Sequence, residues 1–507
     1  MMKSSFWSKR TAREGLSLSA PLLILALAVA LLLVGALEGY LPSILARALP
    51  AADSTSVLVS TIQWLIIGGL LMCIIIVLRL NELAATIVIA LHLLLDWYLG
   101  LEAVAQVMAL VLLLIFFLAQ SRRFPWVVPR ALWLWALFLV LTISPALRGI
   151  VTPRDALYFY PNTIAGALIM FWLGAVVARD MASVRRLFQF LSAFGALVAI
   201  HTLILAITGI FLLKSSRFDS FLANVLNFQL ANNIYVHRAG SFFVDPNWNG
   251  TFFAMMLFIP LGLFLEAPLS LKKILYLIEA LLMVSALLFT YSNGAWVAAL
   301  AGLVALIAFA GRALYRIQIP VIMLAAAGAV IVLFPSQIAL LLQHATSTYE
   351  VISRTSAWQT GLNVIRAFPL SGVGLGYTAY VERAEPYRVV AQVQPLDHPH
   401  NSYLEWAAMA GLPVLIVFVA LLSFALWLAL RNWRLADTKA RSLLGGGIVA
   451  VVTLSINSLS INGWTLPPLA GFGWLILGAL SSSLLMKSQL AERTPEKSNN
   501  DMTNNLQ

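Results

Sequence analysis

The chain has one cysteine, Cys73. A single thiol can form neither an internal disulfide framework nor a cysteine metal cluster. Cys73 lies in an apolar run and reads as a small buried hydrophobe. Charge is scarce as well: 10% of the residues are charged and 61% are hydrophobic, where soluble domains carry roughly 25% charged residues. That deficit excludes an ordinary soluble core and makes length a poor guide to domain number. The net charge is +11, but no soluble basic domain is present to meet nucleic acid. In an apolar chain such cations collect in cytoplasmic loops. Neither an internal repeat nor a pair of inverted halves is visible.

What the sequence does contain is a succession of long apolar runs. The first, near 17–38, follows Lys3, Lys9, Arg10 and Arg13. It exceeds the roughly 7–15 residues of a signal-peptide core and reads as a retained spanning helix. Further runs near 56–78, 83–99, 103–120, 129–147, 157–178, 187–213, 247–265, 273–290, 294–311, 318–334, 402–430, 442–461 and 466–486 predict an all-α integral membrane protein. The expected fold is a polytopic bundle of about 12–14 transmembrane helices. Its parts are a cytoplasmic amino terminus (1–16), a bundle (17–334) with an external loop near 214–246, and a large periplasmic loop (335–401). Carboxy-terminal helices (402–486) and a disordered cytoplasmic tail (487–507) complete it. With the amino terminus inside, about two thirds of the 32 Lys and Arg fall on the inner side, as the positive-inside rule requires. The expected location is the inner membrane of a bacterium, with both long loops on the periplasmic face.

The polar residues that could carry chemistry gather in those two loops. Lys214, Arg217, Arg238, Arg354, Arg366, Arg383 and Arg388 are the outer cations considered. A guanidinium matches phosphate oxygens two at a time, and it can also simply snorkel to lipid headgroups. Arg238 stands just before Asp245-Pro246-Asn247, which reads as an N-cap and first helical turn. A helix start of that kind suits an anion, and it is equally an unliganded cap. His400 precedes Asn401, a second candidate cap, and a histidine at a helix mouth can act as a general base. His398 and Asp397 lie beside it, but His-x-His without a convincing third ligand is a weak metal signal. The run Gly372-Val373-Gly374-Leu375-Gly376 lacks both the dinucleotide and the phosphate-loop patterns, so it reads as a tightly turned backbone. Within the spans, His92, Asp96, His201 and Glu279 are costly to bury, and a proton-relay role is one reading of them.

One set of these residues carries a family likeness. Arg238, Gly240 and Asp245-Pro246-Asn247 come first in the chain. Arg354, Trp358, Pro369 and the glycine run follow, and His400-Asn401 is then separated from Gly411 by nine residues. Over roughly 235–430 this order resembles the O-antigen ligase and O-antigen polymerase superfamily. The resemblance implies an all-helical membrane bundle and a metal-independent glycosyltransferase with no nucleotide cofactor. Such an enzyme moves a glycan from undecaprenyl diphosphate to an acceptor hydroxyl, on another glycan or on lipid A–core. It implies His400 as the base, with Arg238 and Arg354 binding the diphosphate. Asn401, Asp245, Asn247, Trp358 and Arg366 are the expected substrate-binding neighbours. The expected partners are the lipid-linked donor, the acceptor and membrane lipids, with no nucleic acid. Two positions depart from the family pattern: Pro413-Val414 after Gly411, and Ser292-Asn293 where relatives often show Ser-Arg. O-antigen ligation is the first reading of the resemblance, polymerisation of O-antigen or exopolysaccharide repeat units the second, and transfer to a protein hydroxyl the third. A lipid-linked oligosaccharide flippase is the alternative from another class.

Overall fold

The computed structural model describes residues 81–94, 128–150, 160–208, 227–230, 234–309, 321, 328, 332, 335–336, 339, 348–389 and 398–493. The spans expected near 17–38, 56–78 and 103–120, nearly all of 318–334, and the residues Cys73, Asp96, Lys214, Arg217 and Asp397 lie outside them.

The described chain is built of helices. In order they are α1 (Asn81–Leu91), α2 (Leu132–Arg148), α3 (Gly166–Val177) after a π-helical turn (Tyr160–Ala165), and α4 (Met181–Thr208). A short hairpin follows, of β1 (Asn227–Leu230) and β2 (Ile234–His237), antiparallel with Asn227 opposite His237. Next come α5 (Pro246–Met256), α6 (Phe258–Glu266), α7 (Leu271–Thr290), α8 (Asn293–Phe309), α9 (Thr348–Ala367) and α10 (Tyr377–Ala384). The last are α11 (Ser402–Glu405), α12 (Leu412–Leu435), α13 (Thr438–Asn457), α14 (Pro467–Leu480) and α15 (Ser483–Arg493).

Six stretches among the described residues are long and apolar enough to cross a membrane: Met181–Ile207, Pro246–Glu266, Leu271–Thr290, Leu412–Leu435, Thr438–Asn457 and Pro467–Ala491. An apolar helix satisfies its own backbone, as hydrocarbon surroundings require. Exposed apolar side chains follow one face of α7 (Leu271, Ile274, Leu275, Ile278, Leu281) and one face of α8 (Val297, Leu300, Val304). This is the lipid-facing pattern of a polytopic all-α membrane protein.

Helix contacts are made close by small residues, the usual means where lipid gives no hydrophobic drive. A Cβ on Gly478 of α14 would stand 2.0 Å from the Phe171 carbonyl oxygen of α3, and one on Gly174 would stand 2.1 Å from that of Leu475. Gly262 of α6 meets Gly446 of α13 in the same way. Between these seams lies an aromatic core. Trp135 and Trp474 rings are 4.8 Å apart, Trp464 and Trp474 4.9 Å, and Phe138 and Trp406 5.2 Å.

Two stretches differ from the sequence expectation. The run at 402–430 is not one helix, because α11 passes into a π-helical turn (Trp406–Ala410) and stops at Gly411, whose φ is +94°. Past 487, where the sequence predicts a disordered tail, α15 continues to Arg493. Leu485 is buried there, and the Gln489 amide donates to Met181 Sδ.

The helices run back and forth, so their ends sort into two faces. At one end Arg185 pairs with Glu266 at 2.6 Å and Arg186 with Glu82 at 2.7 Å. Arg434 lies in the last turn of α12, and Asp437 caps α13. The opposite end gathers the starts of α5, α8, α11 and α14 and the finish of α7 and α13. The polar segments singled out in the sequence meet there.

Candidate functional site

The centre of that end is the link from α13 to α14, residues 457–466. Its sequence, Asn457-Ser458-Leu459-Ser460-Ile461-Asn462-Gly463-Trp464-Thr465-Leu466, is rich in residues that turn the backbone through their own side chains. Ser460 N–H donates to the Asn457 carbonyl, and Thr465 N–H to that of Asn462. Trp464 is buried and stacks into the aromatic core, which anchors the link from below. Every neighbouring polar segment is bonded to it.

The first such segment precedes α5. Arg238 is 7% exposed, and its Nε donates to the Thr290 carbonyl at 3.0 Å. One Nη donates to Asn247 Oδ1 at 2.8 Å and lies 3.4 Å from the Tyr291 carbonyl. The guanidinium is therefore held between the end of α7 and the first turn of α5. Tyr291 closes α7 in the left-handed conformation, φ +50°, which turns that carbonyl toward the arginine. Asp245 caps α5 by accepting from Asn247 N–H at 2.6 Å, with Pro246 as the first helical residue. One residue on, Trp248 donates its indole N–H to Asn462 Oδ1 at 2.8 Å. One turn in, Thr251 accepts from Asn457 Nδ2.

The second segment is α9. Arg354 donates through Nη1 to the Ser460 carbonyl at 3.1 Å. Trp358 lies one turn on, half-buried, and shares that helical face. A Cβ on Gly361 would touch the Pro399 ring at 3.4 Å, so the same face leans on the histidine loop. Arg366 is exposed, twelve residues beyond Arg354, which on a helix is about 18 Å. It donates to Asn363 Oδ1 of its own helix. The structure does not bring Arg366 beside the other site residues. Arg383 and Arg388 are engaged locally, by the Val373 carbonyl and by Glu385.

The third segment is 398–405. Asn401 caps α11, accepting from Tyr403 and Leu404 N–H, and its own amide donates to the Leu459 carbonyl at 2.8 Å. Ser402 N–H donates to the Ser458 carbonyl, and Trp464 N–H donates to Ser402 Oγ. His400 is therefore clamped from its carboxy-terminal side. Its φ is +52°, a region that non-glycine residues rarely enter and that concentrates at functional sites. The ring of His398 packs on that of His400 with centroids 4.0 Å apart, and Tyr377 lies 5.3 Å from His398 on another side. Among the described residues no three of His, Cys, Asp and Glu are grouped as metal ligands.

The glycine run does structural work. Val373 and Gly374 N–H donate to the carbonyls of Ala408 and Met409 in the π-helical turn, and Leu375 N–H donates to Pro145 at the end of α2. Arg148 donates to the Ser371 carbonyl. Gly372 has φ +59°, and a Cβ there would come 2.3 Å from the Met409 backbone. The run bolts the loop between α9 and α10 to the bundle.

His201 and Glu279 also find plain partners. His201 Nδ1 is 2.7 Å from Ser241 Oγ and its ring stacks on Phe242, while Glu279 accepts from Ser192. The sequence reading missed Asn462, Tyr377 and Glu405. Asn462 donates to the Tyr377 hydroxyl at 3.0 Å and joins α5, α10 and the link. The available signal was an Asn/Ser-rich turn too polar for a plain helix hairpin.

Residues 279–419 match the family described as O-antigen ligase. The match contains Arg354, Trp358, the glycine run and His400-Asn401, while Arg238 precedes it and the 457–466 link follows it. No curated protein matches the chain. Over residues 279–419 the chain is thus similar to the O-antigen ligase family.

Proposed function

We propose that the chain is a membrane glycosyltransferase that moves a glycan from undecaprenyl diphosphate to an acceptor hydroxyl, in the manner of an O-antigen ligase. The observation that supports this best is the 457–466 link, bonded to Arg354, to the capped His400 loop and, through Trp248, to the Arg238 segment. In this reading His400 accepts the proton of the acceptor hydroxyl. The hydroxyl oxygen then attacks the anomeric carbon, and the bond from that carbon to the diphosphate oxygen breaks. Undecaprenyl diphosphate leaves with the bonding pair, and Arg238 and Arg354 stabilise the charge it carries. The starts of α5 and α11, with their N-terminal partial positive charge, add to an anion-friendly surface. Asn401, Asp245 and Asn247 hold the base and the arginine in place, and Trp358 offers an aromatic face to the sugar.

The polar residues lie at one end of the bundle, the end we assign to the periplasm of a bacterial inner membrane. A flippase reading would look for its site between repeats near the midplane. Reconstitution with lipid-linked repeat units, with and without lipid A–core, tests the assignment. Glycan joined to lipid A–core is the expected product. Longer lipid-linked chains without core-linked product would replace ligase by polymerase, and donor movement across the bilayer without transfer would overturn the enzyme reading.

A further inference from the structure

We propose that Glu405 is a positioning residue for this reaction: its buried carboxyl holds the His398 imidazole against the His400 ring and so sets the orientation and proton affinity of the base. The inference rests on the reading of His400 as that base. Glu405 is 1% exposed and His398 5% exposed. Glu405 Oε1 stands 4.0 Å from His398 Nε2, and Oε2 accepts from the Thr465 hydroxyl. His398 in turn packs on His400 at 4.0 Å between centroids, with the rings inclined by 44°. A carboxyl, two imidazoles and a hydroxyl of the 457–466 link therefore form one continuous group.

A buried carboxyl in a membrane bundle is costly, and such groups are kept for function. Helix capping does not account for this one, because Asn401 already caps α11. Side chains of a helix lean toward its amino-terminal end, which aims Glu405 back at the histidine loop. The titratable groups around it are His398 and His400 on its own segment and Tyr377 and Tyr380 from α10. Burial pushes the Tyr380 phenol up, and the Glu405 charge adds to that rise. Arg354, from α9, is bonded to the Ser460 carbonyl, and Asp397 precedes His398 in sequence. An adjacent carboxylate favours a protonated imidazole, and two packed imidazoles take up protons as a coupled pair.

The test uses the full-length protein in lipid nanodiscs with isotope-labelled histidine. The chain has 6 histidines, so His398→Gln and His400→Gln spectra assign the pair. Glu405→Gln is expected to lower the pair's first protonation midpoint by about 1 pH unit or more. The acidic limb of kcat/KM for glycan transfer should move the same way. Misplacing the base should lower kcat about 10–100-fold with donor KM unchanged. Thr465→Val should move the midpoint in the same direction by less, and it carries the test if Glu405→Gln does not fold. Glu405→Asp keeps the charge and should recover the midpoint more fully than kcat. Midpoints equal to wild type in both Glu405→Gln and Thr465→Val, with His400→Gln inactive, overturn the role of Glu405 alone. Full transfer by His400→Gln overturns the base reading, and the role of Glu405 with it.

Discussion

The indole N–H of Trp248 donates to Asn462 Oδ1 at 2.8 Å, across 214 residues of sequence. That bond joins the helix that follows Arg238 to the link that holds Arg354 and the His400 loop. Three segments far apart in the chain thereby become one polar assembly at one end of the bundle. Asn462 is fully buried and also donates to Tyr377, so it joins α5, α10 and the link.

Replacing Asn462 by Leu should loosen that joint. It removes two hydrogen bonds, from the half-buried Trp248 indole and to the half-buried Tyr377 hydroxyl, at about 0.5–1.5 kcal/mol each. The variant should unfold at a lower temperature in detergent and transfer glycan more slowly. A melting midpoint and turnover equal to wild type would show that the joint is dispensable.

The pH profile should carry the signature of a histidine base. A base acts only when neutral, so kcat/KM should fall as pH drops through the histidine range, near about 6.5 for an unperturbed side chain. The limb should have the slope of a single proton or of the coupled pair. Transfer that stays flat from about pH 5 to 8, a range that spans the ordinary histidine pKa, would remove His400 from this role.

The two arginines should tolerate lysine poorly. Arg238 bridges two carbonyls and Asn247, a fork that one ammonium cannot reproduce. Arg238→Lys and Arg354→Lys should each lower kcat about 10²–10³-fold, the cost of losing one donor to a developing anion. Wild-type turnover of Arg354→Lys with purified lipid-linked donor would count against a phosphate contact there.

Gly372→Ala probes the bolt rather than the chemistry. Its φ of +59° and the 2.3 Å approach to Met409 leave no room for a methyl group, at a cost of about 1–3 kcal/mol. The expected outcome is a lower melting midpoint together with easier proteolysis between α9 and α10. An unchanged midpoint would mean that the loop shifts without cost.

The membrane fold was legible because apolar runs of spanning length have few alternatives in water or lipid. Arg238 and His400 were legible as polar residues beside helix-start signals, Asp245-Pro246 and Asn401, and Arg354 as a cation in a polar stretch. Their assembly was not. Local patterns predict a cap at Asn401, but no local rule says that its amide reaches Leu459. Arg366 illustrates the converse, since composition places it with the other outer cations, whereas helical geometry carries it about 18 Å along α9 from Arg354. Glu405 was hidden because one acid in a helix turn looks solvated until burial and the His398 contact are seen.

The central claim is that His400 removes the acceptor proton in transfer from a lipid diphosphate. The most direct measurement is single-turnover glycan transfer in proteoliposomes, comparing wild type with His400→Gln at matched protein levels. The account predicts product from wild type and a loss of about 10²–10⁴-fold in the variant, with the variant still folded and membrane-inserted. Equal transfer rates for the two proteins would contradict it.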